Sequence, residues 1–176
     1  RSPLLNRAIQ GRYPVGDLEK RLIQQGFDAL GLARNPQMYL NLDENSGSLF
    51  GYSPLQLAWI ANIISNDGLQ PGPRLVTAYA PAQDDWLLLP VLETPQRVLT
   101  SAEVDQVVKR MDLVQEVFWE VVQIVEEEQS PSVTWYVGGT IPGWEGRSLT
   151  LVVLIEGTDR DAAQQIGQSI LKTVMP

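Results

Sequence analysis

The chain has 176 residues, enough to bury one sizeable core and too few for two ordinary domains. Hydrophobic residues at 44% and charged residues at 19% describe a globular chain, and a formal charge of −8 without a basic patch argues against a nucleic-acid partner. Cysteine is absent and so is histidine, which removes disulfides, thiolate nucleophiles, the commonest zinc ligands and every Ser-His-Asp or Cys-His arrangement.

Any acyl-transfer or hydrolytic chemistry would need a lysine or a carboxylate as base. No cofactor or metal site is expected. No uninterrupted apolar run of about eighteen residues is present to span a bilayer. The start at Arg1-Ser2-Pro3 is compatible with the excised soluble part of a longer protein that has lost an N-terminal anchor or domain.

The first dozen residues, with Pro3, Gly11, Pro14 and Gly16, read as an irregular lead into a helix beginning near Asp17. The Asp17 side chain is suited to cap that helix. Leu18, Leu22 and Ile23 share one face until Gly26. Residues 37–42 alternate polar and apolar as an extended segment does, and 43–51 form a polar loop. Ser53-Pro54 caps a buried helix over 55–65, stopped by Asn66-Asp67-Gly68.

Residues 74–77 and 86–89 read as short strands around a proline-bearing loop. Thr100-Ser101-Ala102-Glu103 starts a helix, and Val104, Val107, Val108, Met111, Val114 and Phe118 set an apolar stripe that carries it to about Glu126. The acidic run Glu126-Glu127-Glu128 is read as the solvated end of that helix. Residues 133–139 and 149–155 are strands of an antiparallel hairpin. A final helix over 160–174 presents Ala163, Ile166, Ile170 and Val174 on one face.

The expected fold is therefore α/β of the α+β type, an antiparallel sheet packed with helices, as one domain over 1–176. Of the five tryptophans, Trp59, Trp119 and Trp135 sit in apolar segments and read as core, and Trp144 is the one expected to be exposed.

Three segments carry a resemblance that covers nearly the whole chain, in order. Asn6-Arg7-Ala8-Ile9-Gln10-Gly11-Arg12-Tyr13-Pro14-Val15-Gly16 leads into Asp17-Leu18-Glu19-Lys20. Gly51-Tyr52-Ser53-Pro54-Leu55-Gln56-Leu57-Ala58 is followed by Asn66-Asp67-Gly68 and Pro73-Arg74-Leu75-Val76. Trp135-Tyr136-Val137-Gly138-Gly139, then Pro142, precede the apolar strand to Glu156. The chain resembles the transpeptidase domain of penicillin-binding proteins, in a shortened and degenerate form.

That resemblance implies a serine acyltransferase fold of the cell envelope, with peptidoglycan or another envelope protein as partner and a place outside the cytoplasm. It also implies what is missing. Asp17 stands where the family's Ser-x-x-Lys has its nucleophilic serine, and only Lys20 survives. No Ser-x-Asn follows, and 127–134 hold neither the lysine nor the glycine of Lys-Thr/Ser-Gly. The edge strand bearing that motif is read as deleted, leaving an open flank along 133–139 or its neighbour strand for a partner to pair with.

Asp17 with Lys20 has three readings: a carboxylate nucleophile paired with lysine, a retained pocket that binds without reacting, or an N-cap with a surface ion pair. Local helix chemistry favours the last, and Glu19 adds an acid suited to the first turn. Ser169-Ile170-Leu171-Lys172 also satisfies Ser-x-x-Lys but lies outside the family context, and Tyr39-Leu40-Asn41 imitates the second motif only in spelling. The favoured function is a catalytically inactive structural or interaction module. The alternatives are an atypical peptidoglycan-acting acyl transferase or hydrolase using Lys20, and a non-covalent binder of peptidoglycan or β-lactams.

Overall fold

A computed structural model describes residues 7–18, 21–22, 51–72, 78–80, 85–90, 94–128 and 130–175. Helix α1 (Pro54–Ser65) is set by a reciprocal cap: Gln56 N–H donates to Ser53 Oγ at 3.2 Å, and Ser53 N–H donates to Gln56 Oε1 at 2.8 Å. It stops as expected, because Asp67 and Gly68 take positive φ of 51° and 81°. Two small ribbons follow. β1 (Leu69–Gln70) pairs with β4 (Gln96–Arg97), and β2 (Ala78–Tyr79) pairs with β3 (Leu87–Leu88). The strand expected over 86–89 overlaps β3, whereas 74–77 lie outside the described residues.

Helix α2 (Ser101–Val108) starts at the expected Thr100–Glu103 capping box but is only eight residues long. The long helix to Glu126 does not exist. The chain instead forms β5 (Leu113–Val114) and β6 (Phe118–Glu127), so Glu126, Glu127 and Glu128 end a strand. The physical cause lies in 118–125, where valine and isoleucine are frequent and residues alternate between two buried faces. Helical spacing upstream ran by coincidence into that segment.

β6, β7 (Ser130–Thr140) and β8 (Thr150–Glu156) with β5 make a four-stranded antiparallel sheet in the order β5-β6-β7-β8. Val121 faces Val137 across β6 and β7, and Tyr136 faces Val153 across β7 and β8. The flank of 133–139 is therefore covered on both sides within one chain. The deleted edge strand and the docking surface expected there are both corrected by β6.

Strand alternation divides the core between the two sheet faces. Trp119, Val121, Val125, Val133, Trp135 and Val137 pack with α1, α2 and the buried Val15, Leu18 and Leu22. Phe118, Val122 and Tyr136 pack on the opposite face against Ala163 and Leu171 of α3 (Arg160–Val174). The result is an antiparallel sheet with helices on both faces, the α+β class expected. Trp119 and Trp135 are core as expected, but Trp59 is only half-buried, its indole N–H donating to Pro71 C=O at 3.3 Å, Trp86 is 71% exposed, and Trp144 is half-buried against Gly146.

Candidate functional site

The route to Asp17 is fixed by the backbone. Tyr13 and Tyr52 exchange N–H to C=O hydrogen bonds of 3.1 and 3.0 Å, and Leu55 N–H donates to Ala8 C=O at 3.0 Å. Gly51 has no room for a side chain there, since a Cβ would lie 2.8 Å from the Tyr13 carbonyl oxygen. The Trp135 indole N–H donates to Pro14 C=O at 2.7 Å, and its ring meets Tyr13 edge-on at 6.1 Å between centroids. Gly16, at φ +53°, lies against the Val125 side chain of β6.

The chain then turns into a helical segment at Leu18, with Arg21 N–H donating to Asp17 C=O at 3.1 Å. Asp17 is exposed at this turn, and Leu18 and Leu22 anchor it beneath. Glu19, Lys20 and the Tyr39-Leu40-Asn41 segment lie outside the described residues. Ser169 and Lys172 are exposed on α3, which covers the sheet face opposite to Leu18 and Leu22. That placement separates the second Ser-x-x-Lys from Asp17.

The outer side of β6 faces this region and is closed. Leu113 and Val114 pair with Glu120 and Trp119. One step further, Val122 N–H donates to Asp112 Oδ2 at 3.0 Å, and Val122 C=O accepts from Arg160 at 2.9 Å. Asp112 also accepts from Arg21 at 2.5 Å and from Arg160 at 3.2 Å. Burial pushes the Asp112 carboxyl upwards, but the Val122 N–H and the two guanidinium groups outweigh it, leaving its pKa below the ordinary aspartate value. Gln123 covers the next carbonyl, its amide donating to Ile124 C=O at 2.8 Å.

The opposite face of β6 holds a second polar group. Glu120 is fully buried and accepts from Tyr136 Oη at 2.9 Å, Gln164 Nε2 at 2.7 Å and Gln168 Nε2 at 2.8 Å. Burial first, then the adjacent Glu120, raise the Tyr136 phenol far above the usual tyrosine range. Gly167 lets α3 approach, because a Cβ there would come within 2.2 Å of the Tyr136 ring.

Sequence reasoning passed over Asp112 and Glu120. The available signal for Glu120 was a lone acid inside the apolar run Phe118 to Val125. Among the described residues no three His, Cys, Asp or Glu side chains gather to hold a metal ion, and no helix is long and apolar enough to cross a membrane. The arrangement offers an exposed carboxylate at a helix start beside a strand whose outer hydrogen-bonding groups are engaged from Glu120 to Val122 and at the Ile124 carbonyl.

No family model matches the sequence, and no curated protein matches it. Solved structures do. Penicillin-binding protein A from M. tuberculosis, seen as an imipenem acyl-enzyme complex, aligns with a TM-score of 0.60 at 20% identity, covering 73% of this chain and 32% of that one. The D,D-transpeptidase domain of a peptidoglycan glycosyltransferase from Eggerthella lenta aligns with a TM-score of 0.54 at 18% identity, covering 77% of this chain and 36% of the other. The chain spans about a third of the length of these solved structures. Its antiparallel sheet between α1 and α3 is thus a reduced form of the penicillin-binding protein transpeptidase fold.

Proposed function

We propose that the chain is a catalytically inactive transpeptidase-like module, serving as a structural or interaction unit of a cell-envelope protein outside the cytoplasm. The observation that carries this reading is the closed outer edge of β6. An acyl-transfer enzyme acting on peptides needs a place to hold the substrate backbone beside the nucleophile. The resembled family uses a Lys-Thr/Ser-Gly edge strand for that purpose. We read β6 as the strand in that place, and its sequence Phe118-Trp119-Glu120-Val121-Val122-Gln123-Ile124-Val125 contains neither lysine nor glycine. Its outer backbone is taken by β5, Asp112 and Arg160.

Asp17 supports the same conclusion. An aspartate has no hydroxyl proton for a neighbouring lysine to remove, and acyl transfer to its carboxylate would give a reactive anhydride instead of an ester. Restoring the hydroxyl alone would not reopen β6. Penicillin-binding protein A forms an imipenem acyl-enzyme, and this chain is expected to form none.

The test is incubation with a labelled β-lactam followed by intact-protein mass measurement. Neither the wild-type chain nor Asp17→Ser should gain an adduct, and Lys20→Ala should alter stability only slightly. A stoichiometric adduct on either of the first two would overturn the proposal.

A further inference from the structure

The small ribbon of β2 and β3 departs from the burial pattern of the rest of the chain. The two strands pair antiparallel, with Tyr79 opposite Leu87 and Ala78 opposite Leu88. Residues directly opposite share a face, and neighbours along a strand take opposite faces. Tyr79 and Leu87 therefore lie on one side of the ribbon, each 48% exposed, and Leu88 lies on the other, 84% exposed. Trp86 and Leu89, which flank β3, are exposed as well. Among the described elements, β2 and β3 have substantial packing only with each other. Single exposed apolar side chains are ordinary, but a tryptophan followed by three exposed leucines is a contiguous patch that marks a contact surface.

We propose that this ribbon is a membrane-surface anchor, which enters the headgroup region of a zwitterionic lipid bilayer on its β3 edge. The two-sided exposure selects lipid as the occupant. A protein docked on one face of the ribbon leaves the other in water, whereas a fluid interface closes round both. The side-chain chemistry agrees. The Trp86 indole N–H and the Tyr79 hydroxyl give each aromatic a polar end, the combination that settles at the boundary between water and hydrocarbon, while Leu87 and Leu88 supply apolar area beside them.

Charge then selects the kind of lipid. No lysine or arginine lies between Arg74 and Arg97, and Asp84, Asp85 and Glu93 fall in that stretch. Anionic headgroups repel such a segment, and the chain's net charge of −8 adds to the repulsion. Entry is shallow, because a two-stranded ribbon leaves backbone N–H and C=O groups that still need water. The proposal rests on the envelope location proposed above. Catalytic inactivity is read from acylation and lipid contact from vesicles, so either can fail alone.

The test is flotation of the full chain with phosphatidylcholine vesicles. Wild type should float at about 5 mM lipid, with a blue shift of its tryptophan emission. Trp86→Ser and Leu88→Ser should each weaken partitioning about tenfold, the effect of withdrawing one large apolar side chain. The double variant should stay with the unbound fraction, with an unfolding midpoint equal to that of wild type, because neither side chain is packed in the fold. Replacing half of the lipid by phosphatidylglycerol should weaken binding at low salt, and about 0.5 M salt should restore it. A wild-type chain that does not float overturns the proposal. So does binding that requires anionic lipid, or a double variant that floats like wild type. A chain that ignores vesicles and self-associates in solution through Trp86 and Leu88 also overturns it, since the ribbon is then a protein contact.

Discussion

Tyr136 shows how much depends on a single hydroxyl. It gives buried Glu120 one of three donors, the others being Gln164 and Gln168 of α3. In Tyr136→Phe the buried carboxyl group loses a donor, and stability should fall by about 1–3 kcal/mol in urea unfolding. The raised pKa of this phenol fixes a pH dependence as well. A group whose folded pKa lies above its unfolded value of 10.0 contributes fully below that value. Wild-type stability should therefore decline as the pH rises past about 10, more steeply than that of Tyr136→Phe. Gly167→Ala tests the same contact from the helix: with a Cβ only 2.2 Å from the ring, α3 must shift, at a cost of about 1–3 kcal/mol in the same assay. None of this could be read from spacing, since Glu120 in the sequence is one acid in an apolar run and its donors lie 16, 44 and 48 residues away.

Elements were legible where local chemistry and tertiary packing agreed. The Ser53-Pro54 start, the Asn66-Asp67-Gly68 stop, the 133–139 and 149–155 strands and the final helix all appear at or near their expected places. The long helix over 101–126 failed because a valine-rich stripe satisfies helical spacing and strand alternation at once, and only pairing with β7 decides between them. Covering the strand so formed falls to Asp112, which joins Val122 of β6 to Arg21 and Arg160. Asp112→Ala should cost roughly 1–3 kcal/mol at neutral pH, because it strips the partner from a part-buried N–H. The Asp112 pKa is lowered in the fold, so its contribution is present above the unfolded value of 3.8 and is lost as the pH falls below it. The wild-type advantage over Asp112→Ala, followed by denaturant titration, should shrink below about pH 4.

At the scale of the molecule, the order of resembling segments was enough to anticipate the fold, and the solved structures bear that out. The state of the β6 edge was not legible, because it depends on residues far apart in sequence converging on one backbone step. The contact between Trp135 and Pro14 spans 121 positions, and it has a temporal consequence. β6, β7 and β8 are joined by short connections and α3 follows them directly, so this unit closes small loops, whereas the segment around Pro14 must close a very large one. Docking of that segment belongs late in folding, on a platform already built. Trp135→Phe, which removes the indole donor and keeps an aromatic ring, should accelerate unfolding and leave the refolding rate nearly unchanged in stopped-flow experiments.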